Sequence, residues 1–223
     1  MASPPLFRDR TDAGLQLAAK LQTYADQAPV VLGLPRGGVP VAYEVALALN
    51  APLDLCVVRK LGVPGQEELA MGAIAADLRY LNRAVVDQCR VSTAAIEQVT
   101  RQELHELQRR EREYRGDHPV IALRDRTVIL VDDGLATGAT AIAAIGLLRR
   151  QSPKQIVVAV PVASWETCQR LIAQEVAVVT VEAPASMRAI GLWYMDFSQT
   201  TDDEVRDFLH RARLRERDMG IAL

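Results

Sequence analysis

The chain has 223 residues, 49% of them apolar, enough to bury a core without disulfides or a structural metal. Lys and Arg total 26 against 28 acidic residues, and the resulting charge of −2 excludes a general nucleic-acid binder. Cys56, Cys89 and Cys168 show neither CxxC spacing nor histidines at metal-site intervals, so they read as buried thiols in a reducing compartment. The start MASPPLFRDR has no apolar signal run, and no stretch reaches the ~18 apolar residues of a membrane span. A cytoplasmic chain with no membrane or nucleic-acid partner is expected.

In chain order, Asp12 to Tyr24 has the composition of a covering helix, and Val30 to Leu34 is the first strand-length apolar run. The tight loop Pro35-Arg36-Gly37-Gly38 follows, then a helix to Leu49 with Pro40 in its first turn. Strand, glycine loop and helix together make an anion site, because helix amides point at the loop. Leu53 to Val58 is the second strand. After it, Arg59 to Glu68 carries two adjacent cations, Arg59 and Lys60, and the turn residues Gly62, Pro64 and Gly65. Such a loop is suited to closing over an anionic leaving group.

Ser92 to Arg115 is too long and too charged for a minimal crossover and reads as an exposed inserted helix, a solvated face or a dimer contact. Its acid-first pairs, Glu97 with Arg101, Glu106 with Arg110 and Glu111 with Arg115, stand four apart. Strands at Val128 to Val131, Ile156 to Val160 and Val176 to Val181 alternate with helices at Ala141 to Arg150 and Glu166 to Gln174. This is the βαβ rhythm of an α/β fold with a mainly parallel sheet. One domain over residues 1–223 is expected, with a helical insertion at about 83–118. The last basic run, His210 to Asp218, has interleaved acids and reads as a solvated helix.

The most informative stretch is TVILVDDGLATGATAIAAI. An apolar strand ends in Asp132 and Asp133, turns through Gly134, Leu135, Ala136, Thr137, Gly138, Ala139 and Thr140, and enters an Ala-rich helix. Ligands of open α/β sheets bind at such strand ends. The turn offers backbone N–H groups, hydroxyls and a helix amino terminus for a phosphate, and Gly138 permits close approach. Two neighbouring carboxylates suit a vicinal diol, directly or through a divalent ion. A diol beside a phosphate describes ribose 5-phosphate. There is no Walker A lysine and no GxGxxG after the first strand. A receiver domain would carry its acidic pair at the first strand, not here.

The motifs PRGG, RKLGVPG, VDDGLATGAT and YMDFSQ resemble a bacterial group of type I phosphoribosyltransferases over residues 33 to 199. The resemblance implies that fold, with a flexible catalytic loop and a small hood at about 184–200. It implies a phosphoribosyl site at Asp132 to Thr140, a pyrophosphate loop at Pro35 to Gly38, and a cis Pro35–Arg36 bond. Arg59, Lys60, Asp132 and Asp133 are implied as catalytic. In the hood, Trp193 or Tyr194 would stack on a base and Asp196 would face the pyrophosphate-bound metal. Mg²⁺ is the implied cofactor, held by Asp132 and Asp133 indirectly. The implied partners are phosphoribosyl pyrophosphate, a small acceptor and a second copy in a homodimer. Ala136 departs from enzymes acting on hypoxanthine or guanine, which commonly have Asp there, so the acceptor stays open. A ligand-sensing regulator with the same pocket is the alternative; its form as a DNA-binding repressor is disfavoured because no helix-turn-helix precedes the core. Synthesis of the donor is a third reading, which lacks an ATP site.

Overall fold

The computed structural model describes residues 5–75, 78–116 and 118–220. The first helix, α1 (Arg10–Lys20), starts where the Asp9 carboxylate accepts from the Asp12 N–H at 2.8 Å. It is followed by β1 (Val30–Gly33), α2 (Gly38–Leu49) and β2 (Leu53–Leu55). Downstream, β6 (Thr127–Val131), α5 (Ala139–Leu148), β7 (Gln155–Val162), α6 (Trp165–Ile172) and β8 (Ala177–Glu182) complete the core, and α7 (Asp202–Asp218) closes it. The five strands form one parallel sheet in the order β2-β1-β6-β7-β8.

The apolar runs are continuous because both sheet faces are covered. Alternate residues divide between them. Val31, Ile129 and Val157 pack with α1, α2 and α7, whereas Leu32, Leu130 and Val158 pack with α5 and α6. The edge strand β2 is protected by α7, where the buried Glu216 carboxylate accepts from the Leu53 N–H at 2.9 Å. The run His210 to Asp218 is therefore not a wholly solvated helix, since Ala212 and Glu216 are buried.

Between β2 and β6 lies the insertion. The segment expected as a loop is instead a hairpin, β3 (Arg59–Val63) and β4 (Gln66–Ala75), joined antiparallel to β5 (Leu78–Leu81). Leu61 and Val63 alternate inward and the chain turns at Pro64-Gly65, where Gly65 has φ +78°. Two helices follow, α3 (Arg83–Gln88) and α4 (Thr93–Arg115).

Ile96, Leu107 and Tyr114 of α4 enter the main core, so the helix is not a free-standing charged rod. Of its expected internal pairs, Glu106–Arg110 forms at 2.8 Å. Glu97 instead takes Arg79 of β5 at 2.7 Å, and Arg115 takes Asp54 of β2 at 2.7 Å. For Arg115 the reason is burial. Asp54 is nearly inaccessible and needs a counter-charge. Among the described residues no helix is long and apolar enough to cross a membrane.

Candidate active site

The site grows from two strand ends. Leaving β1, the chain turns through Pro35 to Gly37 into α2, and the Pro35–Arg36 peptide bond is cis, as expected. Leaving β6, it passes Asp132 and Asp133 and turns into α5. The parallel pairing of β1 with β6 sets the two turns side by side. A Cβ on Gly37 would stand 2.0 Å from Asp133 Oδ2, and one on Gly38 would stand 2.7 Å from the Val131 carbonyl oxygen. The glycines of the first turn let it lie against the acid pair.

A second shared feature concerns helix starts. Asp9, Asn82, Ser92, Ser164 and Thr201 cap α1, α3, α4, α6 and α7 through their side chains. The helices without a side-chain cap are α2 and α5, which begin at Gly37 and Gly138, the two turns at the site. Among the described residues, the Ala139, Thr140 and Ala141 amides are open at α5, whereas at α2 the Gly38 and Val39 N–H groups donate to the Leu34 and Arg36 carbonyls and Pro40 has none, so there the open donors are the Arg36 and Gly37 amides of the turn itself. Open amides carry a partial positive charge, the electrostatic form of an anion site.

In the second turn, Gly138 has φ +65°, the left-handed region that glycine enters freely. The Ala136 carbonyl accepts from the Thr167 hydroxyl at 2.6 Å and the Ser164 hydroxyl at 3.0 Å, and the Thr137 carbonyl accepts from Arg170. With those carbonyls engaged by α6, the turn keeps N–H groups and the hydroxyls of the exposed Thr137 and Thr140 for a ligand. Leu135 is a correction to the expected contact set. Its side chain is core and its N–H donates to the Val162 carbonyl at 2.9 Å. Gly134 is likewise buried against Ile190.

The two acids differ. Asp132 is partly accessible, and its Oδ1 accepts from the Asp133 N–H at 2.9 Å. Burial, then the neighbouring Asp133, pushes its carboxyl well above the usual range. Asp133 is held by Arg10 of α1, whose Nε and Nη2 lie 2.9 and 2.8 Å from Oδ2. Burial raises the Asp133 carboxyl too, and Arg10 partly offsets it.

Arg10 was missed by sequence reasoning. Its guanidinium also donates to the Ser198 carbonyl at 2.6 Å and lies 4.1 Å from the Phe197 ring centroid, so one side chain joins α1, the acid pair and the hood segment.

In the hood, the structure overturns the stacking role expected for Tyr194. Its ring is buried, 5.2 Å from Phe7 and 4.9 Å from Phe197 between centroids, and no face is left for a base. Its hydroxyl donates to the Asp133 carbonyl at 2.6 Å, which fixes the backbone of the acid pair. Trp193 is half-buried, its carbonyl accepting from the Leu6 and Phe7 N–H groups. Asp196 is exposed and accepts from the Ser198 N–H at 2.8 Å.

The hairpin and α4 complete a cleft of about 640 Å³, within the ~300–1,000 Å³ typical of small-molecule sites. Pro35, Arg59, Lys60 and Thr140 all line it, uniting one residue from each turn with the expected catalytic cations. Arg36 does not line this cleft; its Nη1 is 3.8 Å from Asp202 at the start of α7. Arg59 is bound by Glu103 of α4 at 2.6 Å.

Among the described residues no three His, Cys, Asp or Glu side chains cluster to cage a metal. A Mg²⁺ ion does not require such a cage, because it keeps waters and binds through one or two carboxylates and substrate phosphates. The paired strand-end carboxylates fit that mode.

Uncapped helix starts at two adjoining turns, an acid pair between them and a flanking cleft on a parallel sheet together define the type I phosphoribosyltransferase fold. The phosphoribosyl transferase domain family matches residues 12–182, and the chain belongs to it. Relatives from two strains of Mycobacterium tuberculosis, whose names assign them provisionally as phosphoribosyl transferases, are 50% identical over 208 residues. The match covers 93% of this chain and 47% of theirs, so the chain spans about half the length of these curated relatives. The crystal structure of TT1426 from Thermus thermophilus is 42% identical with TM-score 0.84, covering 92% of this chain and 98% of that one. A Neisseria gonorrhoeae protein solved with ppGpp bound shares the fold at TM-score 0.51 and 11% identity, covering 96% and 99% of the two chains.

Proposed function

We propose that the protein transfers the 5-phosphoribosyl group of phosphoribosyl pyrophosphate to a nitrogen acceptor, a nucleobase by class, releasing pyrophosphate. The observation that carries this reading is the coincidence of the two uncapped helix starts with the two turns that enclose the acid pair. The donor has two anionic ends and a diol between them, and the site has two amide clusters and a carboxylate pair between them.

In this reading Thr137 to Thr140 hold the 5-phosphate and Pro35 to Gly38 hold the diphosphate. Asp132, the more accessible acid, accepts from the ribose hydroxyls, and Asp133 is the anchored partner that Arg10 and Tyr194 keep in place. Arg59 and Lys60 stabilise the leaving group from the hairpin. Mg²⁺ bound to the donor and reached by the two carboxylates would offset charge developing on the pyrophosphate. The nitrogen nucleophile attacks C1 as the C–O bond to pyrophosphate breaks, with inversion. The protein contributes chiefly position and field. The chain acts as a cytoplasmic homodimer in this proposal, with residues 1–223 forming one such domain.

The test is turnover. Protein, donor and Mg²⁺ are incubated with adenine, hypoxanthine, guanine, uracil and orotate, and pyrophosphate and nucleotide are both quantified. Equimolar formation of the two with at least one acceptor is the expected result. Donor binding without turnover on any acceptor would replace catalysis by ligand sensing.

A further inference from the structure

Helix α4 reads in the sequence as a charged insertion, yet it forms a wall of the cleft that contains Arg59, Lys60 and Thr140. Ala95, Gln98, Val99, Gln102 and Glu103 recur at three- and four-residue steps, which places them on one helix face, and all line the cleft. The helix is fastened at several points along its length. Glu97 binds Arg79, Glu103 binds Arg59, Tyr114 donates to Asp202, and Arg115 binds Asp54. A wall clamped this way holds side chains more reproducibly than a loop does.

The charges on this face are balanced within the protein. Glu103 takes Arg59, and Glu106 takes Arg110 at 2.8 Å and Arg109 at 2.9 Å. Gln98 and Gln102 are exposed to the cleft, and neither amide has a hydrogen-bond partner among the described residues. They stand one turn apart. Each amide offers two donors and an acceptor, a set that matches a flat heterocycle with its own donors and acceptors on one edge. Ala95 and Val99 beside them, with Val63 and Pro64 of the hairpin, supply apolar surface for a ring. Arg110 is paired with Glu106, and Arg59, beside Glu103, is assigned above to the leaving group, so neither is left for an acceptor carboxylate.

We propose that Gln98 and Gln102 are specificity-determining residues for the acceptor, selecting a neutral nitrogen heterocycle over one bearing a carboxylate. This rests on the transfer reading above. The hood then is not the sole determinant of acceptor choice, and the inserted helix supplies the missing edge recognition.

The test compares the native protein with the double variant Gln98→Met and Gln102→Met, which keeps side-chain length and helix propensity and removes the amides. Donor affinity is measured by titration with Mg²⁺ and phosphoribosyl pyrophosphate. Acceptor KM is measured for adenine, hypoxanthine and uracil against orotate and nicotinate. The expected result is donor affinity within about twofold of native and a KM for the best neutral acceptor raised roughly 10- to 100-fold, with the preference over carboxylates reduced. An unchanged KM, a parallel loss of donor affinity, or native preference for orotate or nicotinate would overturn the proposal. If the native protein binds donor but turns over nothing, the transfer reading fails by itself. Equilibrium binding of the same compounds to donor-loaded protein then decides the role of α4. Loss of neutral-base binding in the variant supports it, and no difference, or no binding at all, defeats it.

Discussion

Asp132 and Asp133 carry opposed demands, since their value to a ligand is charge and their neighbourhood opposes it. The Asp132 carboxyl is raised by burial and by Asp133, so the folded state keeps its proton to a higher pH than the unfolded state does. More protons bound in the native state means that stability falls as pH rises through the raised value. Asp132→Asn should therefore melt above the native protein at about pH 8, by ~2–4 °C per kcal/mol released, and the gap should close below about pH 4. A melting difference that does not vary with pH would contradict the assignment. Tyr194 makes the complementary case, because Tyr194→Phe keeps the ring and deletes the bond to the Asp133 carbonyl. A loss of about 1–3 kcal/mol in urea unfolding is expected, and native stability would mean that this bond does not hold the backbone of the acid pair.

These residues also mark where sequence reading stops. The acid pair was legible because a strand buried on both faces must be an unbroken apolar run, which leaves its end as the first place for charge. Arg10 was not legible, since its partner lies 123 residues away and nothing near it in sequence requires a counter-charge. Tyr194 was misread because an aromatic beside an acid looks the same whether its ring faces a ligand or the core.

Among the elements, the parallel strands, their helices and the bounds of α4 were recovered close to what is observed, but the hairpin and the packing of α4 were not. The hairpin had a signal. Leu61 and Val63 alternate with polar or small neighbours across a Pro-Gly turn, the period of a strand pair. For α4 the charge spacing misled, because Glu97 and Arg115 find tertiary partners that no local pattern contains. The Arg115–Asp54 pair is the most enclosed of these links. Removing one member of a buried pair leaves an uncompensated charge, so Arg115→Ala should lower unfolding stability by about 3–5 kcal/mol. Amide hydrogen exchange along α4 should quicken with it. A loss under about 1 kcal/mol would mean that the insertion is held by packing alone.

Across the whole molecule, the carboxyl ends of the neighbouring inner strands β1 and β6 bring two glycine turns together around two carboxylates, and the hairpin and α4 wall the cleft beside them. The fold follows from buried apolar strands, and the proposed donor site from the turns and carboxylates at their ends. The proposed acceptor surface is built from residues whose partners are distant in sequence, and it is there that structure adds most. The most direct measurement is calorimetric titration of phosphoribosyl pyrophosphate with Mg²⁺ into the native protein and the double variant Asp132→Asn with Asp133→Asn. Saturable binding to the native protein and none to a folded double variant is the predicted result. Equal affinity in the two proteins would contradict the placement of the donor at this acid pair.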